Sequence, residues 1–358
     1  MVTIRDVARA SKVSVATVSR VFNESPRVRE ATRVRVVKAA ERLGYWPNGI
    51  ARSLITQCTH ALGVLLPDLH GEFFSEVIRG IDQAARLRHL HLLVSSYAST
   101  EADLMAALRA VRGRVDGLIV MTPGVDASRA LHPRGVGART VLLTPEIELP
   151  GHDSISIANV DGARAMVRHL LGLGHRRIAT ITGPERNIDA RQRLEGYRSA
   201  LRDHGLEPSP ELEILGDFTE RSGYEGAAVL LKRKPRPDAI VAANDYTAIG
   251  VLGALQDARV RVPEDLAVAG FDDVPMARFL TPPLTTVHVD MLQLGQRAVE
   301  LLLGSAEAAG GSARHQILST TLVVRRSCGS QPPGRAGSRP RWERRRAVAA
   351  TPRGGLRT

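Results

Sequence analysis

The chain has 358 residues, 43% hydrophobic and 24% charged, room for two or three folded domains and too apolar for a disordered chain. No run approaches the roughly 18 apolar residues of a membrane span, and the N-terminus has no signal-peptide core, so a cytoplasmic chain is expected. The net charge of +12 is uneven: residues 1–60 carry 11 Lys/Arg against 4 Asp/Glu, residues 329–358 carry 8 Arg against 1 Glu, and the middle is near neutral. A basic head on a neutral body points to a polyanion contacted at one end.

Three helices are predicted in the head. Thr3 with Asp6 three residues on makes a capping box, opening a helix that sets Ile4, Val7 and Ala8 on one face. Ala10-Ser11-Lys12-Val13 breaks the pattern. Ser14 then caps a second short helix, Val15 to Phe22, with Val18, Val21 and Phe22 available for packing. A third runs from Glu30 to Leu43, with Val34, Val37, Ala40 and Leu43 expected inward and Gly44 as its stop. Two short helices joined by a tight turn make a helix-turn-helix, whose second helix enters the major groove with its N-terminal residues leading. Those residues, Val15, Ala16 and Thr17, suit thymine methyls and close approach to base edges. Ser19, Arg20 and Asn23 follow on the polar side. Thr3 and Ser14 are placed for phosphates. A three-helix packing module without nucleic acid is the alternative that spacing alone leaves open.

Thr3-Ile4-Arg5-Asp6-Val7-Ala8 and Val13–Asn23, with Leu43-Gly44-Tyr45, Pro47-Asn48 and Ala51-Arg52-Ser53-Leu54, resemble the head of the lactose-repressor (LacI) family. The resemblance runs from residue 3 to 55 without a gap. It implies that the segment around Asn48, Arg52 and Leu54 folds into a hinge helix on DNA, with Leu54 as an apolar wedge in the minor groove. Arg29 stands where a small hydroxyl residue is expected near the third helix cap, which predicts a weaker cap.

From residue 61 onward apolar runs alternate with amphipathic stretches. The runs are Ala61–Leu66, Leu90–Val94, Gly117–Met121, Val141–Leu143, Ile178–Ile181, Ala239–Ala242 and Leu266–Phe271. Helix-length stretches fall between them, from Phe73–Leu87 to Met291–Leu303. Strand and helix in alternation predict parallel sheets with helices on both faces, here in two lobes. Ligands in such folds sit at the carboxyl ends of strands and in a cleft between lobes.

The body resembles the family's effector sensor, itself similar to periplasmic sugar-binding proteins. Leu173-Gly174-His175-Arg176-Arg177, Arg193-Leu194-Glu195-Gly196-Tyr197, Asn244-Asp245 and Gly270-Phe271-Asp272-Asp273 carry that resemblance. It implies that Arg193, Asn244 and Asp272 contact effector, a donor fork, an amide and a carboxylate that can hold vicinal hydroxyls. Phe218 would be an aromatic platform, Phe74 part of the opposite wall, and Asp161 a weaker carry-over. Each residue also has a structural reading. Asp245 and Asp272 suit helix caps, the phenylalanines suit lobe cores, and Arg193 suits an ion pair with Asp272.

The expected fold is therefore an all-α helix-turn-helix head, 1–46, and an α/β two-lobed, periplasmic-binding-protein-like sensor, 61–328. A hinge, 47–60, joins them. The lobes are about 61–159 and 160–287, with 288–328 crossing back, and 329–358 form a basic disordered tail. No phosphate loop, nucleophile elbow, metal spacing or complete dinucleotide fingerprint is present, so neither catalysis nor a cofactor nor a metal is expected. The expected activity is repression by a homodimer on pseudo-palindromic operator DNA, controlled by a small molecule. A sugar is favoured, because Asn187 stands where a second arginine would help hold a purine. The alternatives are a purine-responsive, corepressor-dependent regulator and a sugar-binding protein without DNA function.

Overall fold

A computed structural model describes residues 2–23, 25–46, 58–98, 100–131, 138–304 and 313–329. Helix α1 spans Ile4–Ser11, α2 Val15–Phe22 and α3 Glu30–Leu43. The Thr3 amide donates to the Asp6 carboxylate at 2.9 Å, and the Ser14 hydroxyl accepts from the Thr17 amide at 3.1 Å. Both starts follow from the capping residues. Arg29 provides no side-chain cap for α3, as its lack of a hydroxyl predicts. Gly44 ends α3 at φ 63°, in the left-handed region that glycine adopts at no steric cost.

The head's core is small: Val7, Ala8, Val18, Val21, Val36, Ala39 and Ala40. One expectation is corrected here. Val34 faces solvent at 43% exposure and Val36 is the buried valine. The run Val34-Arg35-Val36-Val37 offers two helical rows, and only the row through Val36 continues into Ala39, Ala40 and Leu43.

In the body, β1 (Ala61–Leu66), β2 (His91–Ser96), β3 (Gly117–Met121), β4 (Arg139–Leu143) and β5 (Asp153–Ile157) form one sheet in the order β5-β4-β3-β1-β2, all parallel. The second sheet is β7-β6-β8-β9, also parallel, from Glu213–Ile214, Ile178–Ile181, Ala239–Ala242 and Ala267–Ala269. Strands β3, β6 and β8 are buried along their whole length, as strands covered by helices on both faces must be. The helices are α4 (Glu72–Arg86), α5 (Glu101–Val111), α6 (Asn159–Gly172), α7 (Ile188–Asp203), α8 (Glu220–Leu231) and α9 (Asp245–Asp257). The apolar run Leu266–Phe271 yields only three paired residues, because the chain turns through positive φ at Asp272 and Asp273.

After the second sheet the chain returns. Strand β10 (Thr286–Val289) pairs antiparallel with β12 (Thr320–Val323). Helix α10 (Met291–Gly304) packs on α4 of the first sheet, and β11 (His315–Leu318) joins that sheet beside β5. The α4–α10 contact is backbone-close: a Cβ on Gly80 would sit 2.1 Å from the Leu292 carbonyl oxygen, and one on Gly295 would sit 2.2 Å from that of Val77. Where the body receives the linker, Asp116 gathers donors from the Cys58 thiol, the Thr59 amide and hydroxyl and the His60 amide. Burial works to raise the Asp116 pKa, and these donors outweigh it and hold the carboxyl below its usual range.

Candidate functional site

Two places gather the residues singled out above. The first is the outer face of α2. Val15, Ala16, Arg20 and Asn23 are exposed, while Thr17 and Ser19 are half-buried. Ala16, Arg20 and Asn23 recur at helical spacing and so share one stripe. Ser14 and Thr17 are 2.9 Å apart through their hydroxyls, and Thr3 shares its hydrogen with Asp6 at 2.7 Å. One contributor was not singled out from the sequence. Arg33 on α3 donates to the Val21 carbonyl at 3.2 Å and the Ser25 carbonyl at 3.0 Å, holding the C-terminal end of α2. Asn48, Arg52 and Leu54 lie outside the described residues.

The second place is a cavity of about 590 Å³ between the two sheets. Phe74, Arg193, Phe218, Asn244 and Asp272 all line it. Arg193 reaches in from α7 and is only 7% exposed. It donates to Asn159 Oδ1 at 2.9 Å and to the Ala243 carbonyl at 2.7 Å, and its Nη2 lies 3.0 Å from Asp272 Oδ1. Its guanidinium also stacks 3.9 Å from the Phe271 ring centroid. The ion pair with Asp272 falls short of hydrogen-bond alignment, so Asp272 Oδ1 is a buried acceptor without a well-aligned donor. Burial pushes the Asp272 carboxyl up to about 6, against the pull of Arg193. Asp272 is held at φ 105° and Phe218 at φ 70°, conformations that persist at non-glycine residues only when the surroundings enforce them.

Phe218 lies flat against the chain at Gly183, where a Cβ would fall 2.4 Å from the ring. Asn244 does two jobs. Its side-chain oxygen caps α9 by accepting from the Thr247 amide at 2.9 Å, and its Nδ2 donates to the Phe218 carbonyl at 3.1 Å. Asp245 stands behind the site, accepting from the Val274 amide at 2.9 Å and the Thr286 hydroxyl at 2.6 Å. Its carboxyl is pushed well above the ordinary range by burial and then by Asp272. Asp161 is not part of this arrangement. It is exposed in the first turn of α6 and does not line the cavity. The residue that does reach inward from that turn is Asn159, two positions earlier, which also donates to Asp189 Oδ1 at 2.7 Å. Sequence spacing could have found it, because residues at the start of a helix after a parallel strand face the cleft. Among the described residues no group of three His, Cys, Asp or Glu is arranged to hold a metal, and no helix is long and apolar enough to cross a membrane.

The chain matches the family of bacterial regulatory proteins, lacI family, over residues 3–48, and a periplasmic binding protein-like domain over 167–328. It is 37% identical to the ribose operon repressor of Escherichia coli strain K12 over 328 residues, covering 91% of this chain and 96% of the relative. The chain belongs to the lacI family. A purine-type relative, the HTH-type transcriptional repressor PurR of Photobacterium profundum, is 33% identical over 91% of this chain and 98% of its own length. Among solved structures, the lac repressor dimer bound to operator and the anti-inducer ONPF superposes with a TM-score of 0.79 at 30% identity, covering 92% of this chain and 99% of that one. As a lacI-family member the chain is a DNA-binding transcriptional regulator with an effector-binding body. The expected fold, a helix-turn-helix head on a two-lobed α/β sensor, is the one observed.

Proposed function

We propose that this lacI-family regulator is a cytoplasmic homodimeric repressor whose two heads read the halves of a pseudo-palindromic operator, and whose cleft takes a sugar. The observation that carries the effector reading is the Arg193–Asp272 pair at the cavity floor. Together with Asn244 it offers a fork of donors, an amide and a buried acceptor oxygen, a set suited to vicinal hydroxyls. Phe218 beside them supplies an aromatic face for the ring. On the head, Val15, Ala16, Thr17, Ser19, Arg20 and Asn23 are the base-facing set, and Thr3 and Ser14 serve phosphates. Asn48, Arg52 and Leu54 belong to the hinge in this reading. The division is head 1–46, hinge 47–60, lobes about 61–159 and 160–287, return 288–328 and tail 329–358. The reading assigns no catalysis and no cofactor; the relatives are repressors and regulators.

Effector bound between the lobes changes their relative angle, and so the way the paired hinges meet DNA. A thermal-shift screen of the full chain against monosaccharides, disaccharides, sugar phosphates and purines tests the effector class, since a ligand that binds only the folded chain raises the midpoint. Asp272→Ala should erase the shift given by a sugar and leave operator binding in place; an unchanged shift would remove the cleft assignment. A purine is the second reading, favoured by one observation. Asn187 is spent on capping α7, accepting from the Ala190 amide at 3.1 Å, but its neighbour Arg186 lines the cavity.

A further inference from the structure

The cavity is divided by chemistry. The first lobe presents Phe73, Phe74, Tyr97, Met121 and Val125 to it. Tyr97 donates its hydroxyl to the Met121 carbonyl at 2.6 Å, so that oxygen is already engaged within the lobe. The second lobe presents the polar floor of Arg193, Asp272, Asn244 and Asp189. A single sugar ring seated on that floor would leave the apolar wall facing water.

Size points the same way. At about 30 Å³ per water, the 590 Å³ cavity has room for roughly 20 waters, whereas one furanose or pyranose ring displaces about six. The lobes already touch at both rims. The Glu72 amide donates to the Tyr246 hydroxyl at 2.7 Å, the Met276 amide to the Glu72 carboxylate at 3.0 Å, and the Ile188 amide to the Pro123 carbonyl at 2.6 Å. Closing the cleft further would break these contacts, so the volume belongs to the ligand. Charge narrows the class again. Asp68, Glu185, Asp189, Asp217, Glu220 and Asp272 line the cavity against Arg186 and Arg193, and Arg193 is already paired. A phosphate would meet mostly like charge.

We infer that the natural effector is an uncharged two-ring glycoside. Its sugar ring lies on the Arg193–Asp272 floor, and its second ring lies against the wall of Phe73, Phe74, Tyr97 and Met121. This inference rests on the sugar reading of the cleft. The second ring adds affinity by removing apolar surface from water, with no need for a polar partner in the first lobe.

Calorimetric titration of the full chain with matched probes tests it. The probes are glucose, galactose and ribose; cellobiose, lactose and the p-nitrophenyl glycosides; adenosine and hypoxanthine; and glucose 6-phosphate. At least one two-ring compound should bind about tenfold or more tightly than its own single-ring component. Phe73→Ala and Val125→Trp, one removing a wall ring and one filling its space, should each bring the two affinities together. Adenosine as the tightest probe, well ahead of hypoxanthine, would support the inference and make the second ring a base. A single-ring sugar, or hypoxanthine, that matches every two-ring probe would overturn it; a single-ring sugar doing so leaves the sugar reading intact. Silence from the whole panel, with the protein folded by its thermal transition, would overturn both.

Discussion

The two functional surfaces of this regulator are built on opposite plans. On α2 the side chains that face outward are mostly free of partners: Val15, Ala16, Arg20 and Asn23 are exposed, and Arg20 has no ion pair among the described residues. In the cleft the polar side chains are prewired. Arg193 alone touches Asn159, Ala243, Asp272 and the Phe271 ring. A surface that meets a large, charged, sequence-variable partner keeps its side chains available and relies on the helix beneath for precision. A buried site that must hold a small polar ligand needs its groups oriented before the ligand arrives, because an unpaired buried charge is costly. Damage to the cleft should therefore appear as lost stability as well as lost binding. Damage to the face of α2 should appear in DNA affinity alone.

The largest expected effect is at the hub of the cleft. Arg193→Ala leaves the Asp272 carboxylate buried without its cation and strips the donors from Asn159 and Ala243. A loss of about 3–5 kcal/mol in denaturant unfolding is expected, with no effector binding at any accessible concentration. Arg193→Lys should fail to restore binding, because a point charge cannot replace the fork. Wild-type stability after Arg193→Ala would break the comparison.

The next effect is a pH dependence. Burial raises the Asp272 pKa from its ordinary 3.8 to about 6. Between those values the folded chain keeps a proton that the unfolded chain has released, so this group's contribution to stability falls as pH rises. Relative to Asp272→Asn, the wild type should lose about 2–3 kcal/mol from pH 4 to above 6. Effector affinity should move the other way, rising across the same window as the acceptor ionises. Parallel stability curves for the two proteins would remove the claim that Asp272 is held in a desolvated site.

Arg33→Ala probes the support beneath the DNA-facing helix. Two hydrogen bonds to the end of α2 are lost. Head stability should fall by about 1–2 kcal/mol, with weaker operator binding and unchanged effector affinity. Arg20→Ala should be the mildest for the fold, within about 0.5 kcal/mol. Its effect on DNA decides its role. A loss of about 1–3 kcal/mol confined to one base position means base reading, and a uniform loss with a salt slope shallower by about 1 means a phosphate contact.

The head was legible almost to the residue, since its signals are local. Caps at Thr3 and Ser14 and the stop at Gly44 act within one turn of the helices they bound. Only the face of α3 was misread, where consecutive valines left two rows possible. The alternation of strands and helices in the body was equally legible, because strands buried on both faces are continuously apolar. The short strands Glu213–Ile214 and His315–Leu318 were not, being half-exposed edges with no apolar run. In the cleft, Arg193, Asn244, Asp272, Phe74 and Phe218 were placed by family resemblance and meet at one cavity. Asn159 was missed and Asp161 drawn in for the same reason: which residue of a helix's first turn points inward depends on the turn before it, here Ala158 at ψ 60°.

The account's central claim is that the cleft and the head are coupled. The direct measurement is fluorescence anisotropy of an operator obtained from the full chain by selection on random duplex DNA, titrated with and without a saturating amount of the tightest-binding sugar or glycoside. The account predicts a specific pseudo-palindrome whose affinity changes by about fivefold or more with the ligand bound, and no such change in Asp272→Ala. Operator affinity indifferent to a ligand that fills the cleft would contradict it.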